Sequence, residues 1–326
     1  MAVTLADAKK LTQDKLYMGI IDEFIKDDLL NAMVFDDCVA LNGGSTLAYT
    51  YNRVTTYPTA AFREINSEYT AQEASTTQYT TNLKIFGGSY KIDRVIQNDV
   101  RGITNQVAFQ SEQKLKATKA LFSDTFINGD SATDTKAFDG LDKALTGTST
   151  EFNKTTAIDL STDAAAKTNG GTFLRVLDDM LSELDGMPTA FLLNRKFQGA
   201  INSVARYSNL FITDKDEFGR PYLKYNGIPF FYVGNKPGTN TPIIGIDATA
   251  GTTDIYAVRL GIDGVHCVTP SGQPIITARL PKFDEAGAVK EGDVEMVAAM
   301  VMKATKSAGV VRKIQIAPKT TSGGGQ

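Results

Sequence analysis

The chain contains a single histidine, which stands beside one of only two cysteines in the order His266-Cys267. A histidine and a cysteine that share a hydrogen bond can act as base and nucleophile. The surrounding residues, GVHCVTP, are typical of a β-strand, and adjacent side chains of a strand point to opposite faces. Because no G-x-S-x-G motif accompanies this histidine, we interpret His266 as a structural residue.

Two other segments resemble ligand-binding loops only in part. Residues 214–219, DKDEFG, begin like a calcium loop, but Phe218 and Tyr225 occupy positions that require oxygen ligands. Residues 245–251, GIDATAG, lack the Gly-Lys-Ser/Thr that completes a phosphate-binding loop. With no zinc-ligand spacing and no dinucleotide-binding glycine motif, the sequence predicts no catalytic residue, no metal site and no cofactor. We therefore expect a protein that is not an enzyme.

Length and composition are typical of a soluble globular protein with one large or two linked domains. The chain has 326 residues, of which 42% are hydrophobic and 22% charged, with a formal net charge of −3. This charge balance indicates no strongly basic surface for specific nucleic-acid binding. Cys38 and Cys267 are too few for a disulfide framework and lie in apolar contexts, so we expect buried, reduced thiols. No apolar run is long enough for a membrane span.

The most regular helical pattern runs from Ile92 to Asn128. Apolar residues recur there at helical spacing, beginning with Ile92, and a helix from Asp99 to Phe126 would be about 40 Å long. Asn128-Gly129 supplies the stop. Spacing alone also fits a core helix of a large enzyme, so the flanking segments decide the interpretation.

The segment before this helix, residues 52–82, has few large aliphatic side chains, and Thr, Ser, Ala, Gln and Glu dominate it. It cannot bury a core of its own. Strand-like runs bound it, namely AYTYNRV before it and TNLKIFGGSYKI after it. A disordered loop and a two-stranded arm lying on a neighbouring subunit both fit the composition, and an isolated hairpin would need such a partner surface.

The remaining elements follow from periodicity and turn residues. Helices are predicted for an amphipathic segment at 18–34, for 171–185 and for 197–209, and a buried strand for Ala190 to Leu193. The chain after this point is β-rich, with short strands separated by Gly, Pro and Asn.

These pieces, in this order, resemble the Hong Kong 97-type major capsid proteins of tailed phages. The stretches that carry the resemblance are, in order, NGGSTLAYTYNRV, TTNLKIFGGSYKIDR, FINGDSATDTKAFDGL, FLLNRKFQGAINSVARYSN followed by FGRPYLKYNGIPFFYVGNKP, and GDVEMVAAMVMKATKSAGVVRKIQI. The third of them contains a Gly-Asp pair, a polar spacer and then a Gly followed by an aliphatic residue. It implies an α+β Hong Kong 97-like fold with an N-terminal arm, an extended E-loop hairpin, a long spine helix, and peripheral and axial domains. The implied divisions are 1–47 for the N-terminal arm and short helix, 48–90 for the E-loop hairpin, 91–145 for the spine helix and peripheral domain, 146–275 for the axial domain, 276–317 for the return strands of the peripheral domain, and 318–326 for a flexible tail.

The resemblance further implies a structural head protein that self-assembles into an icosahedral shell of pentamers and hexamers around double-stranded DNA. We expect contacts with other copies of the chain, a portal, a separate scaffolding protein and, without sequence specificity, the packaged DNA. No membrane partner is expected. The protein would be located in the virion after assembly in the host cytoplasm. The candidate intersubunit residues all lie in the polar segment: Tyr57, Phe62, Arg63, Glu64, Glu68, Tyr69 and Glu73.

Some capsid proteins of this type join an E-loop lysine covalently to an asparagine of a neighbour. Residues 54–83 contain no lysine here, and Lys84 lies at the base of the return strand, so we expect non-covalent cohesion. Only about 20 residues precede the first predicted helix, which is too few for a fused scaffolding segment, so the resemblance implies a separate scaffolding protein or assembly without one. The alternatives are an encapsulin-like nanocompartment shell and, less in keeping with the resemblance, an α+β enzyme.

Overall fold

The computed structural model describes residues 33–39, 47–95, 106–208, 211–215, 221–284 and 286–319. In chain order, the strands are β1 (Phe35–Val39), β2 (Ala48–Thr56), β3 (Ser75–Asn82), β4 (Lys84–Asp93), β5 (Glu151–Phe152), β6 (Ile158–Asp159), β7 (Ala190–Leu193), β8 (Phe211–Lys215), β9 (Pro221–Tyr225), β10 (Ile228–Tyr232), β11 (Thr252–Val258), β12 (Val265–Pro270), β13 (Ile276–Arg279), β14 (Val289–Met302) and β15 (Ala308–Gln315). The helices are α1 (Gln106–Asn128), α2 (Leu141–Leu145), α3 (Asp163–Glu183) and α4 (Phe197–Ser208), with a 3₁₀ turn at Thr305–Ser307.

The first sheet is built on β14. This strand pairs antiparallel with β4 over ten residues, from Val289 opposite Asp93 to Ala298 opposite Lys84. It also pairs antiparallel with β13 and β12, and β1 adds to β12 in parallel. Helix α1 packs across β4 and β14 and buries Phe122 completely. This helix and the sheet therefore share one apolar core.

The long helical pattern is confirmed over α1, while residues 96–105 of the predicted helix lie outside the described residues. One assignment was wrong: Ile92 was counted with the helical apolar face but lies in β4, opposite Lys290 of β14. Ile92 is completely buried in that strand. Pairing with β14 determines its conformation, and a local helical spacing cannot reveal a partner so distant in sequence.

The second sheet has the strand order β5-β15-β11-β7-β10-β9-β8, with β6 also on β15. Successive residues of its central strands face two cores: Leu192 packs in the core shared with α1, and Phe191 packs in the core under α3 and α4. A strand that is covered on both faces has no polar positions, which explains the continuous apolar run AFLL predicted as a buried strand.

Helix α3 begins earlier than the predicted position 171. Thr162 caps it, because its hydroxyl oxygen accepts a hydrogen bond from the Ala165 amide at 3.1 Å. The Gly170-Gly171 pair lies inside the helix and not at its start. A side chain at Gly170 would come within 3.3 Å of Val204 of α4, so this glycine allows the two helices to pack closely.

The Gly-Asp, polar spacer and Gly-aliphatic pattern corresponds to the loop between α1 and α2. The Gly140 amide donates to the Gly129 carbonyl at 2.8 Å, and the Gly129 amide donates to the Thr125 carbonyl at 2.8 Å. A β-carbon at Gly140 would lie 2.6 Å from the Thr125 carbonyl oxygen. Both glycines are therefore needed because backbone meets backbone at this point.

The polar residues 1–17, residues 18–32 of the helix predicted at 18–34 and most of the C-terminal tail lie outside the described residues, and the described residues 33 and 34 are not helical. The segment 276–317 contributes β14 to the first sheet and β15 to the second. The proposed domain divisions stay predictions.

Candidate intersubunit surface

The segment that composition left open between loop and arm forms a two-stranded antiparallel hairpin. Strands β2 and β3 pair from Ala48 opposite Asn82 to Thr56 opposite Ser75. Strand β2 alternates between half-buried and exposed residues near the sheets and becomes fully exposed towards its end, and β3 is exposed almost throughout. We call residues 48–53 and 77–82 the root of the hairpin and residues 57–74 its tip.

Arg53 fastens the root to the turn after β14. Its Nε donates to the Lys303 carbonyl at 2.8 Å, and a terminal nitrogen donates to the Met302 carbonyl. The guanidinium carbon lies 4.5 Å from the ring centroid of Tyr79 and 5.5 Å from that of Tyr51. The two tyrosine rings stack on each other with centroids 5.8 Å apart. One arginine thus joins both strands to the body of the subunit through cation–π contacts and hydrogen bonds.

His266 packs against Tyr49 of the root. It is completely buried in β12, and its ring meets the Tyr49 ring edge-on at 6.1 Å. Burial, together with the nearby Lys303 ammonium, lowers the pKa of His266. Cys267 is also completely buried, and burial raises the pKa of its thiol, so it has little thiolate character. The pair serves packing, in agreement with the structural role expected for His266.

The tip has its own internal contacts. The Thr59 amide and hydroxyl both donate to the Gln72 side-chain oxygen, at 2.8 and 2.6 Å, and so link the two limbs. Asn66 has a φ of 69° in a turn closed by a hydrogen bond from the Ser67 amide to the Glu64 carbonyl at 3.2 Å. These contacts link the two sides of the tip and close its turn, although the tip touches little else of its own chain.

The structure places all seven candidate intersubunit residues on this tip, and all of them are exposed. Arg63 and Tyr69 are brought together, with the guanidinium carbon 5.5 Å from the ring centroid. The large apolar side chains of the tip are exposed to solvent: Phe62 is fully exposed and Ile65 is 91% exposed. Their contact with a neighbouring subunit stays a prediction. The seven candidate intersubunit residues are Tyr57, Phe62, Arg63, Glu64, Glu68, Tyr69 and Glu73.

A cleft of about 460 Å³ opens beside the root, and we call it the root cleft. It is lined by three side chains of the root, Tyr51, Arg53 and Tyr79, and by Phe138, Asp139 and Lys143 from the loop after α1 and from α2. Lys84, Met300 and Met302 also line it. Sequence reasoning named only Lys84 among these residues, for its position and not as part of a site, because the lining comes from four separated segments. The one local signal was the alternation of Tyr49, Tyr51 and Arg53 on a single face of β2.

Two charged clusters outside the hairpin have structural roles. Arg312 of β15 pairs with Asp142, with Glu151 at 3.0 Å and with Asp254 at 2.9 Å. Burial alone would lower the pKa of Arg312, but hydrogen bonds to Asp142 and Asp254 raise it. This cluster connects α2 to the second sheet, and its opposite charges satisfy one another.

Lys143 of α2 pairs with Asp130 at 2.6 Å and with Asp139 at 2.8 Å. The hydrogen bond from Lys143 is the main reason that the pKa of Asp130 is lowered to about 2. These contacts close the loop between α1 and α2.

Within the described part of the chain, no three His, Cys, Asp or Glu side chains group as metal ligands would. None of the helices described here is long and apolar enough to cross a membrane.

Comparison with known proteins finds solved structures of similar fold but no relative that is similar in sequence. No family model matches the chain, and no curated protein matches it in sequence. Among solved structures, the SrpI encapsulin complex of Synechococcus elongatus superposes with a TM-score of 0.66 at 14% identity, covering 98% of this chain and 99% of that one. The capsid of a native GTA particle matches with a TM-score of 0.60 at 12% identity over 95% of this chain and 100% of that one.

The capsid of the Myoviridae phage XM1 matches with a TM-score of 0.59 at 9% identity, covering 96% of this chain and 99% of that one. These near-complete superpositions confirm the predicted α+β, Hong Kong 97-like fold. At such low identity the likeness concerns the fold alone.

Proposed function

We propose that this chain is the repeating subunit of a closed protein shell, and that the hairpin joins neighbouring subunits. The observation that carries the proposal is the solvent exposure of four large apolar side chains on the tip. Tyr57, Phe62, Ile65 and Tyr69 are between 63% and 106% exposed. Burying a large apolar side chain contributes about 1.5–3 kcal/mol, and monomeric proteins seldom leave several of them together in water. A second copy of the chain is the partner that a shell would provide.

The fold supports the same conclusion. The solved structures that superpose over nearly the whole chain are an encapsulin and capsids. A projecting hairpin that contacts a different surface of the next copy makes a heterologous interface, and such an interface generates closed rings when the rotation closes. Pentamers and hexamers of this kind would build an icosahedral shell.

Within this class we infer a phage-type head protein that encloses double-stranded DNA. The likeness to the XM1 and GTA capsids supports this inference. Contact with DNA would be electrostatic and independent of sequence. It would also be weak, because the formal net charge of −3 gives the chain no strong overall attraction to nucleic acid. A portal, a separate scaffolding protein, assembly in the host cytoplasm and a final location in the virion belong to this proposal.

An encapsulin-like nanocompartment is the second candidate, because the SrpI encapsulin superposes with a TM-score of 0.66 over 98% of this chain. Particles purified from the source organism would separate the two. Nuclease-resistant double-stranded DNA inside them indicates a head, whereas a stoichiometric protein cargo indicates a nanocompartment.

Size-exclusion chromatography followed by negative-stain electron microscopy tests the proposed shell. The purified chain, alone or co-expressed with a candidate scaffolding protein, should elute as particles with closed, rounded outlines. A chain that stays monomeric or dimeric over a range of salt concentrations and with the scaffolding protein present is not a shell subunit. An α+β enzyme would elute as such a small oligomer.

A further inference from the structure

The root cleft carries positive charge that the described part of the chain does not neutralise. The partners of Arg53 are two carbonyl oxygens, the hydroxyls of Thr305 and Tyr51, and two aromatic rings. Lys84 donates from Nζ to the Thr135 carbonyl at 2.7 Å. No carboxylate among the described residues pairs with either side chain. Lys143, by contrast, is already paired with two aspartates. Two uncompensated cations therefore face a space that also exposes apolar atoms.

Apolar side chains line the same cleft. Phe138 forms part of its wall, and Met300 and Met302 reach it from the end of β14. Flexible thioether side chains adapt to an inserted ring more readily than branched ones do. The cleft is thus suited to an occupant that combines an aromatic side chain with carboxylates.

The tip of the hairpin has this composition. Its 18 residues contain three glutamates, Glu64, Glu68 and Glu73, against one arginine. Arg63 is held within the tip, since it donates to the Ser67 carbonyl at 3.2 Å and lies over the Tyr69 ring. Phe62 is fully exposed next to these carboxylates. The tip is therefore acidic with an aromatic anchor, which complements the root cleft.

The tip does not fill the cleft of its own chain. It begins four residues beyond Arg53, and an extended strand rises about 3.3 Å per residue, so roughly 13 Å separates Arg53 from the start of the tip. Phe62 lies further along the tip and is fully exposed, so it does not occupy the cleft of its own chain. The pairing of β2 with β3 keeps the hairpin extended. The occupant must come from elsewhere, and another copy of the chain presents the complementary tip.

We propose that the root cleft of each subunit receives the hairpin tip of a second copy, with Phe62 against the apolar wall and tip carboxylates beside Arg53 and Lys84. This rests on the proposed shell function and specifies the receiving surface. A contact from tip to root is heterologous and repeats around a ring. Each bound tip would also cover the Arg53 clamp that holds the receiving hairpin, so docking of one subunit stabilises the arm that reaches the next.

A photo-cross-linking experiment on assembled particles tests the docking. Phe62 is replaced by p-benzoylphenylalanine in the full chain, a change that a fully exposed side chain tolerates, and ¹⁵N-labelled and unlabelled subunits are mixed before assembly. We expect labelled-to-unlabelled cross-links from position 62 to the peptides that contain residues 79–84 or 137–144. The matched control carries the same photoreactive group in place of Tyr207 on α4 and should not reach these peptides.

Charge variants provide a second measurement with the same probe. Neutralising the tip with Glu64→Gln, Glu68→Gln and Glu73→Gln, or the cleft with Lys84→Gln, should lower the yield of these cross-links several-fold. Lys196→Gln, an exposed lysine before α4, should leave the yield unchanged. A yield that is indifferent to the tip and cleft variants would contradict the charge complementarity.

The outcomes separate this inference from the shell function. Particles that form normally but cross-link position 62 to another surface, or no more strongly to the cleft than the Tyr207 control does, overturn the tip-to-root contact and leave the shell function standing. Cross-links confined to one isotopic form indicate contact within a subunit and also overturn it. If no particles form under any condition, the shell function itself fails, and the inference fails with it.

Discussion

Arg53 is the residue that holds the hairpin to its own subunit, through two backbone carbonyls and two tyrosine rings. Replacing it with alanine removes charge-assisted hydrogen bonds and should lower the free energy of unfolding by about 1–3 kcal/mol. Limited proteolysis should also cut the hairpin faster than in the wild type. The control Arg63→Ala, at the exposed tip, should change stability by less than about 0.5 kcal/mol. Equal effects of the two substitutions would show that the root contact is not stabilising.

His266 gives the chain a specific dependence on acid. Its pKa is lowered by burial and by Lys303, so folding favours the neutral ring. The contribution to stability is present above the unfolded-state pKa of 6.5 and is lost as the pH falls from there through the lower folded-state value.

His266→Phe retains a ring against Tyr49 but cannot titrate. Between about pH 7.5 and 5, the urea midpoint of the wild type should fall more than that of His266→Phe. As this is the only histidine, the difference between the two curves isolates it from the carboxylates. Parallel curves would mean that His266 does not titrate differently in the folded chain.

At the scale of elements, the loop between α1 and α2 depends on glycine for space. Gly140→Ala places a methyl group 2.6 Å from the Thr125 carbonyl oxygen and should destabilise the fold by of order 1–3 kcal/mol. Gly171→Ala is the matched control, because α3 has open space there, and it should stabilise the helix by about 0.5–1 kcal/mol. Chemical denaturation of both variants measures the difference. Opposite signs are expected, and a neutral Gly140→Ala would show that the loop can relax.

The hairpin is an element whose tip can be removed without touching either core. Thr56 and Ser75 face each other in the ladder, so an Asn-Gly turn can replace residues 57–74 and close the strands. The shortened chain should keep its helical circular dichroism and its unfolding midpoint but yield no particle peak on size-exclusion chromatography. Unfolding of this variant would mean that the tip supports the subunit core. Shells at normal yield would mean that the tip has no intersubunit role.

For the whole molecule, we predict shells that are held together without covalent bonds. Cys267 is completely buried, and the hairpin has no lysine between residues 54 and 83. Mature particles should therefore run as a single band of monomer in a denaturing gel without reducing agent. A ladder of multimers that persists with reductant would reveal an isopeptide or similar link, and a ladder that disappears with reductant would reveal disulfides.

Local patterns in the sequence were sufficient for much of the fold. Helical spacing and capping residues act within a few positions, so α1, α4 and the buried strand β7 could be predicted from their own residues. The composition of residues 52–82 likewise indicated a segment without a core, although it could not decide between a loop and a hairpin. The start of α3 was missed, because an internal glycine pair that serves helix packing resembles a helix boundary.

The sequence by itself determined the predicted fold: a core-poor arm before a long helix, followed by β-rich segments, in an order that resembles the Hong Kong 97-type capsid fold. Only the tertiary structure decided which residues meet. Arg53 reaches the carbonyl of Lys303, a residue 250 positions away, and the root cleft draws its walls from four separated segments. Such contacts depend on the register and order of the strands, and these are set by the simultaneous burial of both cores, not by any local pattern.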